Sequence, residues 1–148
     1  MKIAKEFRWE MGHRLPFHDG LCKNIHGHSY KMIVEISGNV DKNGMIIDFF
    51  DLGKIVKPMI EKYDHAFLCW ENDKIVRDFL DKNKMKRVFT GYHSTVENIC
   101  SDFAEQIFGK LKKLKNKKFH ELSVKIFETP NSYASLKIPF PRRRESPK

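Results

Sequence analysis

Cysteine is scarce in this chain of 148 residues. Cys22, Cys69 and Cys100 are the three, and no two of them form a Cys-x-x-Cys pair. An odd, scattered set builds no disulfide framework and suits a reducing compartment, so a cytoplasmic protein is expected. Apolar runs are short as well. None approaches the roughly 18 residues that mark a membrane-spanning helix, and the opening MKIAKEFRWE lacks the apolar stretch of a secretory signal. Acidic residues are outnumbered, 19 against 28 Lys and Arg, giving a formal net charge of +9. That excess invites nucleic acid as a partner, but its placement argues against one. Lys110, Lys112, Lys113, Lys115, Lys117 and Lys118 crowd a helix end and the loop after it, and Arg142, Arg143, Arg144 and Lys148 stand against Glu145 in the tail. Lysines at a helix C-terminus complement the helix dipole and are ordinarily solvated. The field that remains suits a polyanionic substrate.

The length fits one domain, and neither a second domain nor an internal repeat is visible beyond a ββα symmetry. Charged residues make up 32% of the chain, so the core is lean, and twelve phenylalanines supply much of its bulk. Residues 3–11 alternate, with Ile3, Phe7, Trp9 and Met11 on one face of a strand. A loop over 12–25 leads to a second strand, 26–38, with Tyr30, Met32, Val34 and Ile36 on one face, and Asn43-Gly44 marks a turn. Asp48 is placed to cap a first helix, with Asp51 in its first turn and Leu52, Ile55, Val56, Met59 and Ile60 as its apolar stripe. Residues 63–93 read as irregular, with a short helix near 74–81. Ser94-Thr95-Val96-Glu97 has the pattern of a capping box, with Ser94 as the cap of a second helix. Cys100 lies on the apolar stripe of that helix and reads as packing. Residues 120–128 and 132–139 form a hairpin. The order ββααββ predicts an α+β fold, an antiparallel sheet with two helices on one face. The domain is expected over 1–140, followed by a basic tail, 141–148, whose composition suggests disorder.

Chemistry concentrates between His13 and His28. In His26-Gly27-His28 the two imidazoles share one face of a strand, with Cα atoms roughly 6–7 Å apart, and the glycine leaves room for close approach. His13 ends the first strand where His26 begins the second, so antiparallel pairing brings the three rings together. Three histidines with an open fourth position suit a catalytic zinc ion. His18 is a rival ligand. Cys22, on the intervening loop, is either a thiolate base or nucleophile whose pKa the ion lowers, or a fourth ligand that closes the site. In Asp64-His65 the carboxylate can orient the imidazole and raise its basicity at a bend. Glu128, before the Thr129-Pro130 turn, can accept two N–H bonds from a planar 2-amino-4-oxo ring.

Together, His13, Cys22-Lys23-Asn24-Ile25-His26-Gly27-His28-Ser29-Tyr30, Gly44-Met45-Ile46-Ile47-Asp48-Phe49, Tyr63-Asp64-His65, Thr95-Val96-Glu97-Asn98 and Glu128-Thr129 resemble the 6-pyruvoyl-tetrahydropterin synthase family, including its bacterial branch of 6-carboxy-tetrahydropterin synthases. The resemblance runs from Phe7 to about Ile138. It implies a T-fold whose ββααββ units join through their sheets into a barrel, usually a hexamer of two trimers with active sites between subunits. The metal residues and Glu128 therefore need not meet within one chain. It also implies zinc on His13, His26 and His28, a pterin anchor at Glu128, Cys22 as proton-transfer base and Asp64 with His65 as an acid/base pair. Thr95 and Glu97, in the shared Thr-x-Glu-Asn motif, are substrate-binding candidates. The implied substrate is 7,8-dihydroneopterin triphosphate. The bacterial branch gives 6-carboxy-5,6,7,8-tetrahydropterin, acetaldehyde and triphosphate on the route to queuosine and other 7-deazaguanines. The alternative, a 6-pyruvoyl-tetrahydropterin synthase, eliminates triphosphate only. A reading of another class is a non-catalytic zinc-stabilised module that binds nucleic acid, but such a module has no need of Cys22, Asp64-His65 and Glu128. Ser94 departs from the pattern, which usually has Pro there. Ala66-Phe67-Leu68-Cys69-Trp70 departs from it too, and the Arg-rich tail lies outside it.

Overall fold

The computed structural model describes residues 1–115 and 117–141. The tail expected to be disordered lies, from Arg142 onward, outside the described residues. The two long strands form as the alternation dictates. β1, Lys2–His13, buries Phe7, Trp9, Met11 and His13, and β2, Gly38 back to His26, buries Tyr30, Met32, Val34 and Ile36 on the same face. They pair antiparallel in an unbroken register that sets His13 opposite His26 and Gly12 opposite Gly27. Gly27 is needed for that closeness, since a Cβ there would stand 3.0 Å from the Met11 carbonyl oxygen across the ladder. The C-terminal hairpin is β5, Phe119–Thr129, and β6, Ser132–Pro139, with β5 paired to β2.

Helix α1, Phe49–Tyr63, is capped as expected: the Asp48 carboxylate accepts from the Phe50 N–H at 2.6 Å. It runs through Pro58 and turns Leu52, Val56, Met59, Ile60 and Tyr63 onto the sheet. The last helix, Val96–Leu111, packs Ile99, Cys100, Phe103, Ala104 and Ile107 against the same face. Its cap is Thr95, whose hydroxyl accepts from the Asn98 N–H at 3.3 Å, and not Ser94. Ser94 is buried and faces His13, which removes it from the capping position.

The segment 63–93 is more ordered than its sequence suggests. It holds β3, Ala66–Trp70, α2, Lys74–Lys82, and β4, Arg87–Thr90. The last helix is therefore α3. β3 runs parallel to the end of β1, and β4 runs parallel to β3. The sheet is six-stranded and mixed, ordered β4-β3-β1-β2-β5-β6, and not antiparallel throughout. α1 and α3 share one face, with Ala66 and Leu68 of β3 in their core. The intervening Phe67 and Cys69 point to the other face, where α2 covers them with Val76 and Leu80. The whole is an α+β T-fold with a third helix on the reverse side.

Candidate functional site

The buried face of β1 and β2 ends in imidazoles instead of aliphatic groups. His13 continues the row of Trp9 and Met11, and His28 and His26 continue the row from Tyr30. Their ligand atoms lie within 4.8 Å of one another, in a group that can hold a metal ion. The hydrogen bonds fix which nitrogens face the centre. His13 Nδ1 is 2.8 Å from the Ser94 carbonyl, which can only accept, so Nδ1 carries the proton and Nε2 the lone pair. Buried His13 Nε2 has no hydrogen-bond partner. His26 is set the same way, its Nδ1 2.7 Å from the Asn24 carbonyl.

Glu128, at the end of β5, brings a carboxylate to this cluster within the same chain. Its Oε1 lies 3.4 Å from His13 Nε2 and 3.6 Å from His28 Nε2. The Tyr30 hydroxyl donates to the same oxygen at 3.4 Å. Tyr30 is itself fixed by stacking on Trp9, centroids 5.3 Å apart, and burial, aided by Glu128, pushes its phenol well above the ordinary range, so it remains a donor. Burial lowers His13 to about 4, with the Ser94 hydrogen bond opposing and the other two histidines adding to the fall. Burial also lowers His28, against the pull of Glu128. Neutral imidazole lone pairs and a carboxylate thus converge on one point. They repel unless a cation stands between them, and the donor set of three imidazoles fits a divalent metal with an open position.

Cys22 lies on a short 3-10 turn, Leu21–Lys23, and is not among the clustered ligands. It is half-buried; Cys69 and Cys100 are buried, and burial pushes each of those two thiols up to about 11. His18 is outside the cluster too, and its Nδ1 accepts from the Gly20 N–H at 2.9 Å. Thr95 has its hydroxyl engaged in the cap, and Glu97 is exposed in the first turn of α3.

Asp64 and His65 meet each other but not the metal cluster. His65 has φ +57, a left-handed bend that turns its Nδ1 to 3.0 Å from Asp64 Oδ1. The Glu10 N–H donates to Asp64 at 2.9 Å, and this bond, with that from His65, holds the carboxyl below its ordinary value. His65 lines an open hollow of about 330 Å³ with Glu10, Met11, Gly12, Gly27, His28, Ser29 and Ala66, so one of the clustered histidines borders it too. Glu10 and Ser29 alternate with the histidine ligands along their strands, so their side chains leave the sheet on the other face. Sequence reasoning missed the supporting partners Ser94, Asn24 and Tyr30. Only Tyr30 carried a signal, as the next same-face residue after His28.

The family model described as 6-pyruvoyl tetrahydropterin synthase matches residues 2–138. The chain belongs to this family. It is 40% identical over 140 residues to a 6-carboxy-5,6,7,8-tetrahydropterin synthase of Haemophilus influenzae, covering 89% of this chain and 95% of that one. A protein of the same name from Rickettsia conorii is 30% identical over 139 residues, covering 92% and 99%. Among solved structures, the Plasmodium vivax 6-pyruvoyltetrahydropterin synthase superposes with a TM-score of 0.77 at 20% identity, over 95% of this chain and 98% of that one. An uncharacterized Wolinella succinogenes protein superposes with a TM-score of 0.74 at 24% identity, over 92% and 97%. Both share the fold.

Proposed function

We propose that the chain is a zinc-dependent lyase converting 7,8-dihydroneopterin triphosphate to 6-carboxy-5,6,7,8-tetrahydropterin, with release of acetaldehyde and triphosphate. The observation that carries this reading is the convergence of three imidazoles and Glu128, whose lone pairs call for a cation beside a ring-binding carboxylate. The names of the Haemophilus and Rickettsia relatives favour the carboxy product. The family description itself keeps a 6-pyruvoyl-tetrahydropterin synthase, which eliminates triphosphate only, as the second reading.

In this mechanism His13, His26 and His28 hold zinc, which when bound supplies Lewis acidity toward the substrate's side-chain hydroxyls and the adjoining C–H. Glu128 accepts the ring N–H and the amino group of the pterin, with Tyr30 steadying its carboxylate. Cys22 and His65 move protons between neighbouring side-chain carbons, and Asp64 orients His65. In this reading a second copy brings Asp64-His65 to the metal. A homohexamer of two trimers, closed through the sheets, supplies that copy. Thr95, which also caps α3, and Glu97 contact the substrate. The domain spans 1–140 and works in the cytoplasm on the route to queuosine. Among the described residues no helix is long and apolar enough to cross a membrane. The deciding experiment incubates the purified protein with dihydroneopterin triphosphate and measures acetaldehyde. Acetaldehyde supports the carboxy product, while triphosphate without acetaldehyde assigns the pyruvoyl one.

A further inference from the structure

We infer that the Arg14–Asp73 ion pair is a positioning device for Cys22, clamping the turn that carries the thiol to the start of α2. The inference rests on the reading of Cys22 as proton carrier. Arg14 is the first residue after the ligand His13. Its Nε lies 2.6 Å from Asp73 Oδ2 and its Nη2 2.7 Å from Oδ1, a two-bond fork on a carboxylate that is only 6% exposed. Asp73 occupies the cap position of α2, yet its side chain makes no cap hydrogen bond. Both of its oxygens face Arg14, so helix capping does not account for the carboxylate. Stability is a poor account as well, because a buried ion pair contributes little net free energy over apolar packing.

What the pair does is hold Arg14, and Arg14 holds the Cys22 turn. The remaining guanidinium nitrogen, Nη1, reaches the Lys23 carbonyl at 3.5 Å. The next residue, Leu15, donates its N–H to the Cys22 carbonyl at 2.8 Å. The turn closes on itself through Lys23 N–H to Gly20 at 3.3 Å and Asn24 N–H to Leu21 at 3.0 Å. On the metal side, the Ser94 hydroxyl, 3.2 Å from His13 Nδ1, donates to the Arg14 carbonyl at 3.3 Å. One residue thus links the seat of His13, the turn of Cys22 and α2. This gives α2, the short helix expected near 74–81, a use as the abutment of an otherwise irregular loop. Reactive groups tolerate little misplacement; an error of about 1 Å can cost on the order of 100-fold in rate.

The test uses full-length, zinc-loaded Asp73→Asn and Arg14→Lys proteins. Asn keeps the shape and loses the charge; Lys keeps the charge and loses the fork. Five quantities are read: zinc per chain, thermal midpoint, steady-state kcat, KM, and the rate of Cys22 alkylation by iodoacetamide, located by peptide mass spectrometry. The expected result is unchanged zinc content, several-fold faster alkylation of Cys22, and a kcat lower by about 10- to 100-fold with little change in KM. Should Asp73→Asn fail to fold, Arg14→Lys carries the same readouts. A folded variant with unaltered alkylation or unaltered kcat overturns the inference, as does a loss of kcat that merely tracks lost zinc. Alkylation does not depend on turnover. Cys22→Ala with full activity would therefore remove the proton-carrier reading separately.

Discussion

Replacing Glu128 separates its two conceivable duties, gripping the pterin and ligating the metal. In the proposed complex its carboxylate accepts two N–H bonds from the ring, each worth about 1.5–3 kcal/mol because the acceptor is charged. Glu128→Gln keeps one acceptor but points an NH₂ at a ring donor, so about 2–4 kcal/mol of binding is lost, or roughly 30- to 1000-fold in affinity. Glu128→Ala leaves both ring donors to water and loses about 3–6 kcal/mol, more than the Gln variant. In that complex His13, His26 and His28 hold the metal, and His13 Nε2, 3.4 Å from Glu128 Oε1, makes no hydrogen bond. Zinc content is therefore expected to stay at one per chain. Calorimetric titration with neopterin gives the affinity, and elemental analysis of the same preparation gives the metal. Unchanged neopterin affinity refutes the anchor role. Loss of zinc in proportion to loss of binding refutes the separation of duties and makes Glu128 a ligand.

Other predictions concern the same cluster. Cys22→Ala should keep zinc and lose turnover by about 100-fold or more, the contribution of a positioned acid–base group; loss of zinc instead would make Cys22 a ligand. Ser94→Ala removes the hydroxyl near His13 Nδ1 but leaves the carbonyl, so zinc affinity measured by chelator competition should weaken by about 10-fold, the low end for an outer partner. Burial lowers His13 in the folded chain from 6.5 to about 4. Between these values the unfolded chain binds the proton and the folded chain resists it. The metal-free protein should therefore lose stability as pH falls from about 6.5 to 4, by at most about 3 kcal/mol from this group. Urea unfolding at pH 7 and pH 4.5 measures this, and His13→Asn should flatten the slope.

The histidine cluster was legible because it needs only two local facts, a shared face for His26 and His28 and an antiparallel ladder that returns His13 beside them. β3 and β4 were not legible. They are five and four residues long, and they pair parallel through α2, so neither alternation nor a turn signal announces them. The cap of α3 was misplaced by one residue because Ser94 and Thr95 are both cap formers, and only the burial of Ser94 against His13 decides between them. Glu128 meeting the triad in one chain depends on the register of β5 against β2, a long-range pairing that no local pattern encodes. The bend expected at Asp64-His65 is present, as a left-handed backbone at His65 that sets its Nδ1 3.0 Å from Asp64 Oδ1.

The central claim joins the metal cluster to cleavage of the substrate side chain. Its most direct test titrates zinc into metal-stripped protein and measures acetaldehyde and triphosphate from dihydroneopterin triphosphate. Both products should rise together and level off at one zinc per chain. Full acetaldehyde release from the stripped protein, or triphosphate release alone at saturating zinc, would contradict it.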